Sequence, residues 1–337
     1  MTARNASGLS FFHKYPGGEA LAPRGLAPLA PHPPASAVPV STTSAAPRKQ
    51  EARPDPSRDD CPLPARHAKM TRPEQEPDVK LILSQPMPTD GRIEAAFAQI
   101  ETLLAVARAA GADMVLLPEL FLPGYNRPDL HGTLAQPLDG PWIARLRQMA
   151  RDSRCGITLG LAERDGAEVY NTAVAIGPDG TILASYRKIQ LFGPMERASF
   201  RPGDAPPPVF ALGKRRLGLL ICYDIEFPAH AADLARRGAG IILVPTANPE
   251  GYEFVADVLV PARAHENALI VAYANFCGSE EGLRFSGRSV IAGPDARAIA
   301  GAGALTEAVL IVTLPERDDY QPGLLSMQAA DLRIPQG

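Results

Sequence analysis

The stretch RLGLLICYDIEFPAHAADLARRGAGIILVPTAN, residues 216–248, decides the architecture. Its first apolar run, 216–222, has the length of a buried strand. Pro228 stands near the start of the next segment and Gly238 just past its end, which brackets a helix. A second apolar run, 240–248, reads as the following strand. Strand, helix and strand in succession form the unit of an α/β protein. The same stretch raises a chemical question. Cys222 stands where the first run gives way to Tyr223, Asp224 and Pro228. It is either a small core hydrophobe or a nucleophile on display.

Outward from this unit the alternation continues. VKLILSQ (79–85), MVLLPE (114–119) and GITLGLAE (156–163) read as strands. Ile93, Phe97, Ile100 and Leu104 share one helix face, and Gly111 is a fair stop for that helix. PWIARLRQMARD (141–152) is a second helix with proline in its first turn. YNTAVAIGPDGTILASYRK (170–188) reads as two strands joined at Gly-Pro-Asp-Gly, a hairpin signal. ALIVAYANF, SGRSVIAGPDARAIA and EAVLIVTL supply further strands. The pattern predicts an α/β layered protein with mixed sheets. Two facing sheets and a single doubly wound sheet both fit the periodicity.

Residues 1–77 hold 14 of the 35 prolines and few bulky apolar residues. Such a stretch cannot offset its own ordering entropy, so it is expected to be a disordered tail, with Met70 as an alternative start. A domain over 78–320 and a C-terminal tail over 321–337 complete the expected organisation. The net charge of −3 gives no electrostatic case for nucleic acid or an anionic membrane. No apolar run is long enough to span a bilayer. The cysteines at 61, 155, 222 and 277 show neither metal-finger nor C-x-x-C spacing. So few cysteines suit a reducing compartment, and the cytoplasm is the expected location. No metal and no nucleotide cofactor is expected.

A nucleophilic thiol needs a group to take its proton. His131 is read in a polar loop, and His230 and His265 on helices, so a Cys–His pair is one open alternative. Carboxylate and ammonium groups are better placed. Glu119 ends the strand MVLLPE and Lys188 ends ILASYRK, just as Cys222 ends GLLIC. Sites in α/β sheets gather at the carboxyl ends of strands. A carboxylate can serve as general base and an ammonium can hold an oxyanion. Singly, each residue has an ordinary structural explanation. Three chemically distinct groups ending three apolar runs are harder to explain that way.

LLPELFLPGYN (116–126), SYRKIQLFG (185–193) and ICYDIEFPAHA (221–231), in that order, resemble the signature stretches of the nitrilase or carbon–nitrogen hydrolase superfamily. The resemblance continues through VPTAN (244–248), ARAHENALIVAYAN (262–275) and FSGRSVIAGPDA (285–296). It implies a four-layer α-β-β-α sandwich with two mixed sheets, paired into a homodimer or higher oligomer. Position by position it implies Glu119 as general base, Lys188 as support for the tetrahedral intermediate and Cys222 as nucleophile. Glu196 matches a supporting glutamate more loosely, and the backbone N–H of Tyr223 is the expected second oxyanion donor. Tyr125 and Asn248 are the expected pocket residues for a small amide substrate.

Cys-Tyr-Asp, where true nitrilases tend to carry Cys-Trp-Glu, is similar to amidases and carbamoylases. The expected reaction is hydrolysis of a small carboxamide to carboxylate and ammonia through a cysteine thioester, in the manner of bacterial amidases, some of them stereoselective. An N-carbamoyl amine or amino acid amidohydrolase is the runner-up, with Arg197 or Arg201 to hold a substrate carboxylate. A soluble acyltransferase using the same three residues is a third reading. Glu250 and Glu253 around Tyr252 suggest an amine-bearing substrate. The chain departs from the family at Ala229, where glutamate is common after Phe-Pro, and in its C-terminal QAADLRIPQG.

Overall fold

A computed structural model describes residues 79–333. The tail expected over residues 1–77 lies outside them. Along the described chain come β1 (Lys80–Gln85), α1 (Ile93–Ala110), β2 (Met114–Leu116), α2 (Pro128–Leu134), α3 (Pro141–Ser153), β3 (Gly156–Asp165), β4 (Glu168–Ile176), β5 (Ile182–Arg187) and α4 (Gly193–Ser199). The second half carries β6 (Val209–Leu212), β7 (Arg215–Leu219), α5 (Pro228–Arg236), β8 (Ile241–Pro245), α6 (Val260–Glu266) and β9 (Ile270–Ala274). The hairpin β10 (Ser279–Glu280) and β11 (Leu283–Arg284), then β12 (Val290–Ala292), β13 (Ala298–Gly301), β14 (Ala308–Thr313) and the short α7 (Gln328–Asp331) follow.

The strands form two six-stranded mixed sheets, β14-β1-β2-β3-β4-β5 and β13-β12-β9-β8-β7-β6. Each has a parallel centre, β1-β2-β3 in one and β7-β8-β9 in the other, flanked by antiparallel strands. Side chains alternate across each strand, so one strand feeds two cores. Leu81, Leu83, Met114 and Leu116 of the first sheet meet Leu217, Leu219, Ile241 and Leu243 of the second. Ile82, Val115 and Ile157 turn outward onto Phe97, Ile100 and Leu146 of α1 and α3. Ile242, Val244 and Val271 turn outward onto Leu234, Val260 and Ala264 of α5 and α6. The result is the four-layer α-β-β-α sandwich. No helix among the described residues is long and apolar enough to cross a membrane.

Local signals explain the main boundaries. Gly111 ends α1 in a left-handed conformation, φ 62°, and its N–H returns to Ala107 and Arg108. The Gly177–Gly180 turn joins β4 to β5 as the hairpin reading expects, with the Gly180 N–H donating to Gly177 O at 2.8 Å. Two strands are shorter than their apolar runs. β2 stops at Leu116, because Pro118 has no N–H to offer the ladder, and Glu119 lies in the turn beyond. β7 stops at Leu219, and Cys222 opens a 3₁₀ turn over Cys222–Glu226. His131, read in a polar loop, instead lies in α2 and is fully buried. That helix is too short for a periodic signal.

Candidate active site

The ends of β2, β5 and β7 converge with α4 on one buried cluster. Lys188 follows β5, and its N–H donates to Asn171 O of β4 at 2.8 Å. Its Nζ donates to Glu119 Oε1 at 2.6 Å and to Glu196 Oε1 at 2.8 Å. All three side chains are fully buried. Asn171 Nδ2 also donates to Glu119 Oε1, at 2.7 Å, while Glu119 Oε2 makes no hydrogen bond. Glu196 Oε1 accepts from the Tyr125 hydroxyl at 2.8 Å, and its Oε2 accepts from the Phe192 N–H at 3.0 Å. The first carboxylate thus keeps one oxygen uncommitted, and the second spends both.

The electrostatics follow from burial. Burial pulls the Lys188 ammonium down, but the carboxylates of Glu119 and Glu196 outweigh it and hold the group well above its ordinary value. Burial pushes Glu196 up, and Glu119 adds to this, while Lys188 opposes. Burial, with the Glu119 charge next, pushes the Cys222 thiol up against the pull of Lys188 and of a hydrogen bond from Thr246. Such a thiol is not a ready thiolate at neutral pH. A thiol in this state can act as a nucleophile only with a base to take its proton.

Backbone geometry presents the cysteine. Cys222 has φ 44°, a left-handed conformation that a side-chain-bearing residue keeps only where its surroundings hold it. Two residues absent from the sequence reading of the site supply that hold. Asp224 is buried, accepts the Ile221 N–H at 3.2 Å and the Gln190 N–H at 3.0 Å, and takes the Tyr186 hydroxyl at 3.0 Å. It ties the turn after β7 to the loop after β5, and burial pushes it up to about 6 against Lys188. Arg263 pairs with Glu266 as its spacing suggests. It also donates Nε to Ile225 O at 3.2 Å and Nη2 to Glu226 O at 2.9 Å, which clamps the same turn from α6.

The other expected site residues fall into three groups. Tyr125 joins the cluster through Glu196. Asn248 is buried but committed, its Nδ2 donating to Tyr252 O at 2.8 Å and its N–H to Asn275 Oδ1 at 2.8 Å. Tyr223 follows Cys222 directly, and its ring packs edge-on against Phe192 and Phe227. Arg197 and Arg201 are exposed, and Arg201 pairs with Glu168 on the surface. Neither belongs to the site. The acidic loop is also accounted for, with Glu250 paired to Arg284 and Glu253 accepting the Gly251 N–H. No histidine of the described chain partners Cys222. His131 faces Gly124 O, His230 faces Gln190 and His265 faces Pro294 O. Ala229 is exposed on the first turn of α5, so the missing glutamate leaves no gap in the cluster.

The turn that carries Glu119 has no slack. Gly160 in β3 donates its N–H to Pro118 O at 3.0 Å, and a Cβ on Gly160 would lie 2.6 Å from Glu119 Cα. The obstacle is backbone, which cannot rotate away. Gly160→Ala is expected to cost about 1–3 kcal/mol in a urea melt, as overpacking does. A variant with wild-type stability contradicts this packing.

The fold and this buried cluster of a thiol, an ammonium and two carboxylates define a cysteine-bearing hydrolase of the α-β-β-α class. A sequence profile described as carbon–nitrogen hydrolase matches residues 82–318, and the chain belongs to that family. It is 45% identical over 228 residues to the hydrolase in the pqqF 5′ region of Pseudomonas protegens, covering 67% of this chain and 79% of that protein. It is 37% identical over 227 residues to an (R)-stereoselective amidase of a Pseudomonas species, covering 67% and 81%. Among solved structures, a mutant amidase from Nesterenkonia sp. AN1 in complex with acrylamide superposes with a TM-score of 0.70 at 36% identity, covering 76% of this chain and 94% of that one. Another mutant of the same amidase is in complex with butyramide.

Proposed function

We propose that this carbon–nitrogen hydrolase cleaves a small carboxamide to carboxylate and ammonia through a thioester on Cys222. The observation that carries the reading is the single buried ammonium held between two buried carboxylates, one of which keeps a free oxygen. Glu119, through Oε2, takes the thiol proton as sulfur attacks the amide carbon. An ammonium has three donors, and Lys188 uses two on Glu119 and Glu196. The third is available for the oxyanion, with the Tyr223 N–H as second donor. One such donor is typically worth about 10²–10³ in rate. Glu119 then gives its proton to the departing ammonia. The same carboxylate next takes a proton from water, which cleaves the thioester, and Cys222 recovers its proton. Glu196, with Phe192 and Tyr125 fixing both its oxygens, keeps the ammonium in place through the cycle.

The substrate reading rests on what surrounds this cluster. Phe192, Tyr223, Phe227 and Tyr252 form a half-buried aromatic group beside the Cys222 turn. That suits a short apolar acyl group. The exposed Arg197 and Arg201 remove the cations on which the carbamoyl amino acid reading relied. The paired Glu250 and the capping role of Glu253 remove the basis for an amine-bearing substrate. The amidase relatives support the same class. A homodimer and a cytoplasmic location complete the proposal, from the family's habit of pairing and from the cysteine usage.

The test is a panel of carboxamides, N-carbamoyl amines, N-carbamoyl amino acids and nitriles scored by ammonia release. Short aliphatic carboxamides are expected to turn over fastest. Preferential turnover of N-carbamoyl substrates, or of nitriles without amides, overturns the substrate class.

A further inference from the structure

The loop that delivers Tyr125 to Glu196 is gripped by two buried titratable groups outside the proposed chemistry. From α2, His131 Nε2 lies 3.0 Å from Gly124 O. From the end of β10, Glu280, only 1% exposed, accepts the Asn126 N–H on Oε2 at 2.6 Å. Asn126 answers by donating Nδ2 to Glu280 O at 3.0 Å and to Glu281 O at 3.2 Å. The other carboxylate oxygen, Oε1, makes no hydrogen bond. It is pressed against Gly124 so closely that a Cβ there would collide with it. Gly124 adopts φ 139°, open in practice to glycine alone. Carboxylate and backbone therefore fix each other over three residues.

A buried carboxylate with an unpartnered oxygen is costly, and an apolar side chain would fill the same space at less expense. Burial pushes Glu280 up to about 7, with the Asn126 N–H the main opposing influence. The place where this cost is borne is informative. Glu280 holds Asn126, the residue before it is Tyr125, and the Tyr125 hydroxyl holds the oxygen of Glu196 that also receives Lys188.

We propose that Glu280 is a positioning residue for amide hydrolysis, fixing the Gly124–Asn126 backbone so that Tyr125 holds Glu196 against Lys188. The proposal rests on the amidase reading above. Glu280 touches no reacting atom and acts through Tyr125. If the loop drifts, Glu196 loses one of its donors, and the ammonium that faces the oxyanion is no longer fixed.

A double-mutant cycle tests this. Glu280→Ala, Glu280→Gln and Tyr125→Phe are made singly, and each Glu280 change is combined with Tyr125→Phe. Melting curves establish which variants are folded at the assay temperature. Glu280→Ala is expected to lower kcat by up to about 10²-fold with little change in KM. Glu280→Gln keeps an acceptor for the Asn126 N–H and should recover most of that loss. On the Tyr125→Phe background both changes should cost almost nothing further. If Glu280→Ala does not fold, the cycle is decided on Glu280→Gln, whose smaller loss should vanish in the same background. Losses that multiply between Glu280 and Tyr125, or a folded Glu280→Ala variant with wild-type kcat, overturn the proposal. The rate at which iodoacetamide alkylates Cys222, followed by peptide mass spectrometry, gives the same cycle without amide turnover. A wild-type protein that hydrolyses no amide defeats the amidase reading, and the alkylation cycle still decides the role of Glu280.

Discussion

Cys222→Ala is expected to remove amide hydrolysis while leaving the protein folded and able to bind substrate. The activity side follows from the proposed covalent step. Without sulfur there is no thioester, and Lys188 and Tyr223 have no tetrahedral intermediate to stabilise. Loss of a nucleophile in a comparable covalent hydrolase costs on the order of 10⁶-fold in kcat. The stability side follows from the charge state. The thiol is held protonated by burial and by the neighbouring Glu119 carboxylate, so its removal breaks no ion pair. What is lost is one sulfur atom's packing, and a change of about 1 kcal/mol moves the melting point of a domain this size by about 2–4 °C. Cys277 is the control. It is buried, its Sγ faces Gln85 O, and it makes no hydrogen bond to Glu119, Lys188 or Glu196. Cys277→Ala should keep its activity. Ammonia release by the two variants, with melting curves beside it, decides the matter. An active Cys222→Ala with an inactive Cys277→Ala reverses the assignment.

Strands and helices were legible because side-chain period and punctuation are local properties. The α1 stripe of Phe97, Ile100 and Leu104 and the Gly177–Gly180 turn need no distant information. The pairing of two sheets was less legible for a physical reason. Ile82 and Leu83 face different cores, and both are apolar, so no polar face marks the side that meets the second sheet. Only the resemblance to a family supplied the four layers. Within the site, Glu119, Lys188 and Cys222 stood out because each interrupts an apolar run. Asn171 and Asp224 did not. Their partners lie 52 residues away at Glu119 and 34 away at Gln190, and a buried polar residue declares itself only once its partners are known. Arg197 and Arg201 failed in the opposite sense. They follow Glu196 in sequence, yet Glu196 turns inward from α4 while both arginines face solvent. Proximity along the chain does not give proximity to a site.

Lys188→Met is expected to damage stability and activity together, and the stability loss should depend on pH in a direction fixed by the charges. Methionine fills much of the lysine volume but leaves Glu119 and Glu196 buried with no cation between them. Removing one partner of a buried ion pair costs about 3–5 kcal/mol. In the wild-type protein Lys188 lowers Glu196, working against burial and against Glu119. Without it Glu196 rises further. Asp224, which Lys188 also lowers, moves the same way. An acid whose folded-state pKa is raised binds its proton more tightly folded than unfolded. Its charge is a growing penalty as pH rises through the interval between the two values. The melting-point difference between Lys188→Met and the wild type should therefore be smallest near pH 5 and widen as pH rises past neutrality. Glu280, pushed up to about 7, titrates in the same interval but in both proteins, so it cancels in the difference. Arginine is not a rescue, because a planar guanidinium does not fit the space of a single Nζ between two carboxylates. Activity should fall by at least the 10²–10³ attributed to one oxyanion donor. Paired melting curves from about pH 5 to 9, the range that spans these titrations, provide the measurement. A difference that does not vary with pH would mean that Glu196 and Asp224 do not depend on Lys188 for their charge, and the ammonium would lose its proposed place at the centre of the site.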